Sequence, residues 1–152
     1  TFREYKNYSD LNTSILSQGA LEVYLKSGMF DSHVNKIKQY YQQRMDWLRR
    51  ACQKTFQNNV EYFIPYTGFF ACLKLPEFIK ARQLENKLML KDIYTTDAAK
   101  LFTENYRKEN ILRISICRVD KEEIETSIPI IYNEIQSMLN KRYLVTEEHL
   151  IL

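Results

Sequence analysis

The sequence predicts an α+β fold: a small antiparallel or mixed sheet of three to four strands covered by helices. Two observations predict it. Apolar residues recur every three or four positions across residues 9–27, 31–56 and 120–140, whereas residues 60–64, 69–75 and 111–117 alternate with period two. Their order along the chain, helix, helix, hairpin, helix, strand, strand, helix, interleaves the two kinds of element around one sheet. The 152 residues are 45% hydrophobic and 27% charged, enough to bury a core without disulfides and too ordinary for a disordered or fibrous chain.

Each element has a local reason. In residues 9–27, Leu11, Ile15, Leu16, Ala20, Val23 and Tyr24 form the apolar repeat, Ser9 or Asp10 caps the start, and Gly28 supplies a left-handed stop. Over residues 31–56, Val34, Ile37, Tyr41, Met45, Leu48, Cys52 and Phe56 make one stripe expected to be buried. The other side carries Lys36, Lys38, Arg44, Arg49, Arg50 and Lys54, which reads as a solvated basic face, with phosphate contact as the rarer alternative. Pro65-Tyr66-Thr67-Gly68 turns the hairpin between residues 60–64 and 69–75. Pro76 opens a short helix reaching Asn86, residues 88–93 form a third, weaker strand, and a short helix falls at residues 98–102. In the last helix Ile124, Ile128, Ile131, Ile135 and Met138 are in register, and Pro129 removes one amide donor, which should bend it.

Composition excludes several function classes. Three glycines, Gly19, Gly28 and Gly68, cannot build a glycine-rich phosphate cradle. His33 and His149 are far apart and Cys52, Cys72 and Cys117 include no close pair, so a zinc site is not expected. His33 reads either as a switch or base or as an ordinary polar residue of a first helical turn. No apolar run is long enough to span a membrane, no signal-like segment opens the chain, and the odd cysteine count fits a reduced cytoplasmic setting. A net charge of +3 does not demand a nucleic-acid partner. No serine, cysteine or lysine has an identifiable base beside it, so nucleophilic catalysis finds no support. The first residue, Thr1, is not methionine, and the sequence reads as a piece of a longer protein.

The residue with the clearest chemical potential is Arg113. In Ile111-Leu112-Arg113-Ile114-Ser115-Ile116-Cys117, alternation sends Leu112, Ile114 and Ile116 to the core and Arg113 to the opposite face with Ile111, Ser115 and Cys117. A guanidinium on a half-apolar strand calls for an anion, and its planar fork suits a carboxylate. That carboxylate belongs either to an Asp or Glu of the same chain or to a ligand.

Four stretches in order resemble the C-terminal part of fold-type I, pyridoxal-phosphate-dependent aminotransferases, especially the aminotransferase-like domain of MocR-type regulators in the GntR superfamily. They are Gln18-Gly19-Ala20-Leu21 through Ser27-Gly28; His33-Val34-Asn35-Lys36-Ile37-Lys38 with Tyr41, Arg44 and Asp46; Pro65-Tyr66-Thr67-Gly68-Phe69-Phe70 to Leu75-Pro76; and Leu112-Arg113-Ile114-Ser115. The resemblance implies the small C-terminal domain of that fold over residues 29–152, with residues 1–28 as a linking helix from the large domain. It implies that Arg113 binds the carboxylate of an amino-acid-like substrate or effector, with Ser115, Tyr66 and Thr67 as cleft neighbours, which favours the ligand over an internal partner.

It further implies pyridoxal phosphate in the full-length parent, held by a Schiff-base lysine upstream of this segment, and none bound covalently here. Contact with DNA would run through an N-terminal winged-helix domain outside this sequence. A homodimer is implied for the full-length protein, with no membrane partner. Two departures bear on activity. Family enzymes carry Gly-Gly after the turn proline, where this chain has Tyr66-Thr67-Gly68, and a Pro-Gly pair before the arginine strand, which Asp92-Ile93-Tyr94-Thr95-Thr96-Asp97 lacks. Both favour a regulator over a catalytic aminotransferase.

Overall fold

Residues 4–6 are helical, and the next helix starts behind a capping serine. The computed structural model describes residues 4–6, 14–57 and 59–148, which divide into two units, Thr1–Gln39 and Tyr40–Leu152. In the first unit, helix α1 spans Ile15–Lys26, its start capped by Ser14, whose Oγ accepts from the Ser17 amide at 3.4 Å. The expected caps Ser9 and Asp10 lie outside the described residues. Gly28, at φ +74°, ends α1 as expected, in a conformation that disfavours any side chain.

Helix α2, Met29–Phe56, crosses from the first unit into the second. The apolar stripe is buried only from its second half on: Met45, Leu48, Cys52 and Phe56 are sealed, Tyr41 and Val34 are half-buried, and Ile37 is exposed, contrary to expectation. The buried face is also broader than the stripe, because Arg44 and Ala51 join it.

In the second unit the hairpin forms as expected, from β1 (Glu61–Phe63) and β2 (Phe70–Lys74), antiparallel with Tyr62 opposite Leu73. After Pro76 the chain makes a turn, closed by the Ile79 amide on the Pro76 carbonyl at 2.8 Å, and helix α3 starts only at Ala81, running to Met89. Leu88 belongs to this helix, since Ala81, Leu84 and Leu88 share its buried face at helical spacing. Residues 88–93 are therefore not a strand. The helix ends with Asp92 at φ +58°, the Asp92 amide on the Met89 carbonyl and the Ile93 amide on the Leu88 carbonyl, a Schellman-type stop built without glycine.

The third strand is instead β3, Thr96–Asp97, followed by 3-10 turns at Ala98–Leu101 and Glu104–Tyr106. Strand β4, Ile111–Ser115, pairs antiparallel with both β2 and β3, giving the order β1-β2-β4-β3.

Helix α4, Lys121–Glu148, closes the unit. Asp120 and Glu123 cap it reciprocally: the Glu123 amide reaches Asp120 Oδ1 at 2.9 Å and the Asp120 amide reaches Glu123 Oε2 at 2.7 Å. Pro129 lies inside the helix, and the Glu125 carbonyl that loses its partner belongs to an exposed residue open to water. Ile124, Ile128, Ile131 and Ile135 bury against Leu112, Ile114 and Ile116 of the β4 segment and the lower half of α2 in one core. One sheet face is thus covered by helices, and the opposite face carries Phe70, Cys72, Arg113 and Ser115.

Candidate functional site: the Arg113 face of the sheet

Register places the site residues. Cys72 and Thr96 lie directly across from Arg113 on its two neighbouring strands, and Phe70 lies across from Ser115. Because side chains alternate, these residues and Phe63, opposite Cys72 on β1, all project to the face away from the core. The Arg113 guanidinium sits over the Phe70 ring, 4.3 Å from its centroid. It is half-buried, and among the described residues no carboxylate forms an ion pair with it. The acids nearest along the sheet are otherwise engaged: Glu61 pairs with Lys74 at 2.8 Å, and Asp97 accepts from the Ala99 amide at 2.9 Å. The guanidinium makes no hydrogen bond or ion pair with another described residue. Cys72 beside it feels two opposed influences: burial pushes its thiol up, and the Arg113 charge pulls it down by a smaller amount.

The other expected site residues are placed differently. Ser115 shares Arg113's strand face and is exposed, its Oγ accepting from the Cys117 amide at 3.4 Å. Tyr66 and Thr67 lie on the exposed loop between β1 and β2; Tyr66 stands near Arg49, whose guanidinium is 5.9 Å from its ring, rather than against Arg113. His33, in the first unit, is exposed with its ring edge-on to Tyr24.

Sequence reasoning missed Arg44. It was assigned to the solvated basic face of α2, but it is only 8% exposed. Its Nη1 donates to the carbonyls of Ile116 at 2.8 Å and Cys117 at 2.7 Å, and its Nη2 donates to the Tyr40 hydroxyl, over whose ring the guanidinium lies at 4.2 Å. Its Nε is buried without a partner. Arg44 lies four residues before Leu48 and seven before Ala51, so a stripe drawn wide enough for a helix packed on a sheet would have included it. The rest of the basic face is exposed or half-exposed, with Arg49 paired to Asp46 at 2.6 Å.

A line of rings connects the two arginines. Tyr40 meets Tyr41 at 5.7 Å between centroids, Tyr41 meets Phe69 at 5.7 Å, and Phe69 meets Phe70 at 4.7 Å. Phe69 is also tied by its backbone to the strand end, its carbonyl accepting from the Ile116 amide at 3.0 Å. On the core side of the same strand end, a cavity of about 820 Å³ opens between Ile93, Thr95, Ile116, Arg118, Ile124 and Ile128. Arg113 does not line it.

The chain matches the family model described as aminotransferase class I and II over residues 5–131. It belongs to that family. The uncharacterized HTH-type transcriptional regulator YcxD of Bacillus subtilis is 32% identical over 139 residues, covering 89% of this chain and 31% of that protein. Aromatic-amino-acid aminotransferase 1 of Thermococcus litoralis is 26% identical over 136 residues, covering 90% of this chain and 32% of the enzyme. Among solved structures, the α-aminoadipate aminotransferase LysN of Thermus thermophilus, crystallised with N-(5'-phosphopyridoxyl)-L-leucine, superposes with a TM-score of 0.77 at 23% identity, over 90% of this chain and 35% of that one. The fold is thus that of part of an aminotransferase, and the chain spans about a third of the length of these relatives. Transcriptional regulators and aminotransferases both carry it.

Family membership implies pyridoxal phosphate, and the Arg113 face can be tested for the amine that would hold it. Lys74 is the lysine on that sheet face. The hydrogen bond and charge of Glu61 push its ammonium further up from the ordinary lysine value.

Proposed function

We propose that this chain is the small subdomain of an aminotransferase-like, effector-sensing domain in a MocR-type transcriptional regulator. Residues 29–152 form one wall of a ligand cleft and residues 1–28 the linking helix from the large domain. Arg113 clamps the carboxylate of an amino-acid-like effector, with Ser115 beside it and Tyr66 and Thr67 at the rim. The rest of the parent holds pyridoxal phosphate and, through a separate winged-helix domain, DNA; the parent is a cytoplasmic homodimer, and closure over the effector biases its shape on DNA. The regulator YcxD, similar over 89% of this chain, and the missing Gly-Gly and Pro-Gly pairs support a regulator over a catalytic aminotransferase.

The observation that carries the reading is the Arg113 guanidinium, held over Phe70 with no carboxylate of the described residues upon it. The experiment is calorimetric titration of the apo full-length parent with N-(5'-phosphopyridoxyl)-L-leucine and with its decarboxylated counterpart, N-(5'-phosphopyridoxyl)-3-methylbutylamine. The wild type should prefer the leucine adduct. Arg113→Ala should remove about 1.5–3 kcal/mol from that adduct alone, the worth of a hydrogen bond to a charged group. If Arg113→Ala binds both adducts as the wild type does, the proposal fails. Amino-group transfer by the parent, lost in Arg113→Ala, would assign the chain to an enzyme instead.

A further inference from the structure

A charged side chain sealed inside a protein with no counter-ion among the described residues needs a reason, and Arg44 is such a side chain. Desolvating a guanidinium is costly, and an apolar residue of similar volume would close the same gap between helix and strand at less cost. A methionine or leucine there could not bond the backbone. The fork of Arg44 takes two successive carbonyls, those of Ile116 and Cys117, at 2.8 and 2.7 Å. Successive carbonyls of an extended strand point opposite ways, so both can meet one nitrogen only because the chain leaves strand geometry just after Ser115. Arg44 grips β4 at that point, three residues beyond Arg113.

The grip has a second route to the same place. The guanidinium stacks on Tyr40, and the rings of Tyr40, Tyr41, Phe69 and Phe70 follow one another until Phe70 underlies Arg113 at 4.3 Å. The Ile116 residue whose carbonyl Arg44 holds also donates its amide to Phe69 at 3.0 Å. Backbone and rings therefore both run from the buried arginine to the half-buried one.

We propose that Arg44 is a positioning residue: by fixing the end of β4 and the ring series beneath it, it sets the orientation in which Arg113 meets a ligand carboxylate. The inference rests on the carboxylate-binding role proposed for Arg113. A purely structural Arg44 would affect every ligand of the cleft alike, whereas a positioning Arg44 affects the ligand that carries a carboxylate.

The test uses the apo full-length parent and the same two probes, N-(5'-phosphopyridoxyl)-L-leucine and its decarboxylated counterpart, well below the unfolding temperature of each variant. Arg44→Lys keeps the charge but lacks the planar fork. It should weaken the leucine adduct by about 3–10-fold, in the lower part of the range for coupled neighbours, while the amine adduct stays within about twofold. In the Arg113→Ala background, Arg44→Lys should cause no further loss of preference. Arg44→Met should act in the same direction and more strongly; should it fail to fold, Arg44→Lys and Tyr40→Phe, which removes one bond from the guanidinium, carry the test. Equal weakening of both adducts, or an unchanged preference in Arg44→Lys while Arg113→Ala abolishes it, overturns the positioning role and leaves the Arg113 reading standing. An unchanged preference in Arg113→Ala overturns both.

Discussion

If the aromatic ring under Arg113 orients the guanidinium, removing the ring while keeping the charge should cost affinity. Phe70→Leu is the perturbation: it retains apolar volume and β2 pairing and deletes the π face that lies 4.3 Å from the guanidinium carbon. Phe70 is 38% exposed, so water competes for the guanidinium and the contact belongs at the weaker end of cation–π energies, about 0.5–1 kcal/mol. At about 1.4 kcal/mol per factor of ten, the leucine adduct should bind about 2–5-fold less tightly to the full-length parent. The assay is calorimetry in a double-mutant cycle. Phe70→Leu should weaken the leucine adduct in the wild-type background and change nothing in the Arg113→Ala background, because the ring acts only through the arginine. Equal losses in both backgrounds would mean that Phe70 contributes bulk to the cleft wall and would refute the orienting role.

Three further outcomes follow from the titrating groups. Burial pushes the Cys52 thiol up to about 12, so it should stay unalkylated by iodoacetamide at pH 8 until the protein is unfolded. Cys72, half-buried beside Arg113, should react, and Arg113→Ala should move the midpoint of its pH–rate profile upward because a nearby positive charge is lost; a midpoint that moves down, read by peptide mass spectrometry, would contradict the geometry. Glu134 ties α4 to the α3 region through Lys91 at 2.6 Å and Lys87 at 3.4 Å, and the Lys91 hydrogen bond leads in holding its carboxyl below the ordinary range, against an opposing effect of burial. Its folded value lies below its unfolded one, so the stabilisation is complete above the unfolded range near about pH 4.3 and is lost as pH falls through the folded value. Glu134→Gln should therefore be less stable at pH 7 by about 1 kcal/mol or less, and the urea midpoints of the two proteins should draw together as the pH is lowered below about 4.3.

The strands that alternate cleanly were legible in the sequence. Leu112, Ile114 and Ile116 went to the core because a strand offers only two faces, and the same arithmetic put Arg113 on the outer one. The third strand was misplaced because Leu88 and Ile93 are apolar neighbours of a helix end. The stop of α3 uses Asp92 in a left-handed conformation, a role that composition assigns to glycine. With two residues, β3 is too short to show any period; it is specified by its pairing with β4, which is tertiary information. Helix α2 was found, but the width of its buried face was not, since that width is set by the sheet packed on it and not by the helix's own repeat. Arg44 was the casualty, and Ala51, too small to signal anything, went with it.

The two arginines separate what a local pattern can and cannot say about charge. Arg113 is informative in sequence because a strand forces it onto a face shared with few polar groups, and the anion it needs is then either internal or foreign. The structure shows none on it among the described residues, which shifts the question outward. Arg44 is uninformative in sequence because a helix surface tolerates arginine almost anywhere, and its partners, the Ile116 and Cys117 carbonyls, lie more than seventy residues away in the chain. Backbone carbonyls leave no trace in composition. Lys38, Arg44 and Arg49 all flank the apolar stripe of α2 at helical spacing, and only the strand end packed beside Arg44 sets it apart from the other two.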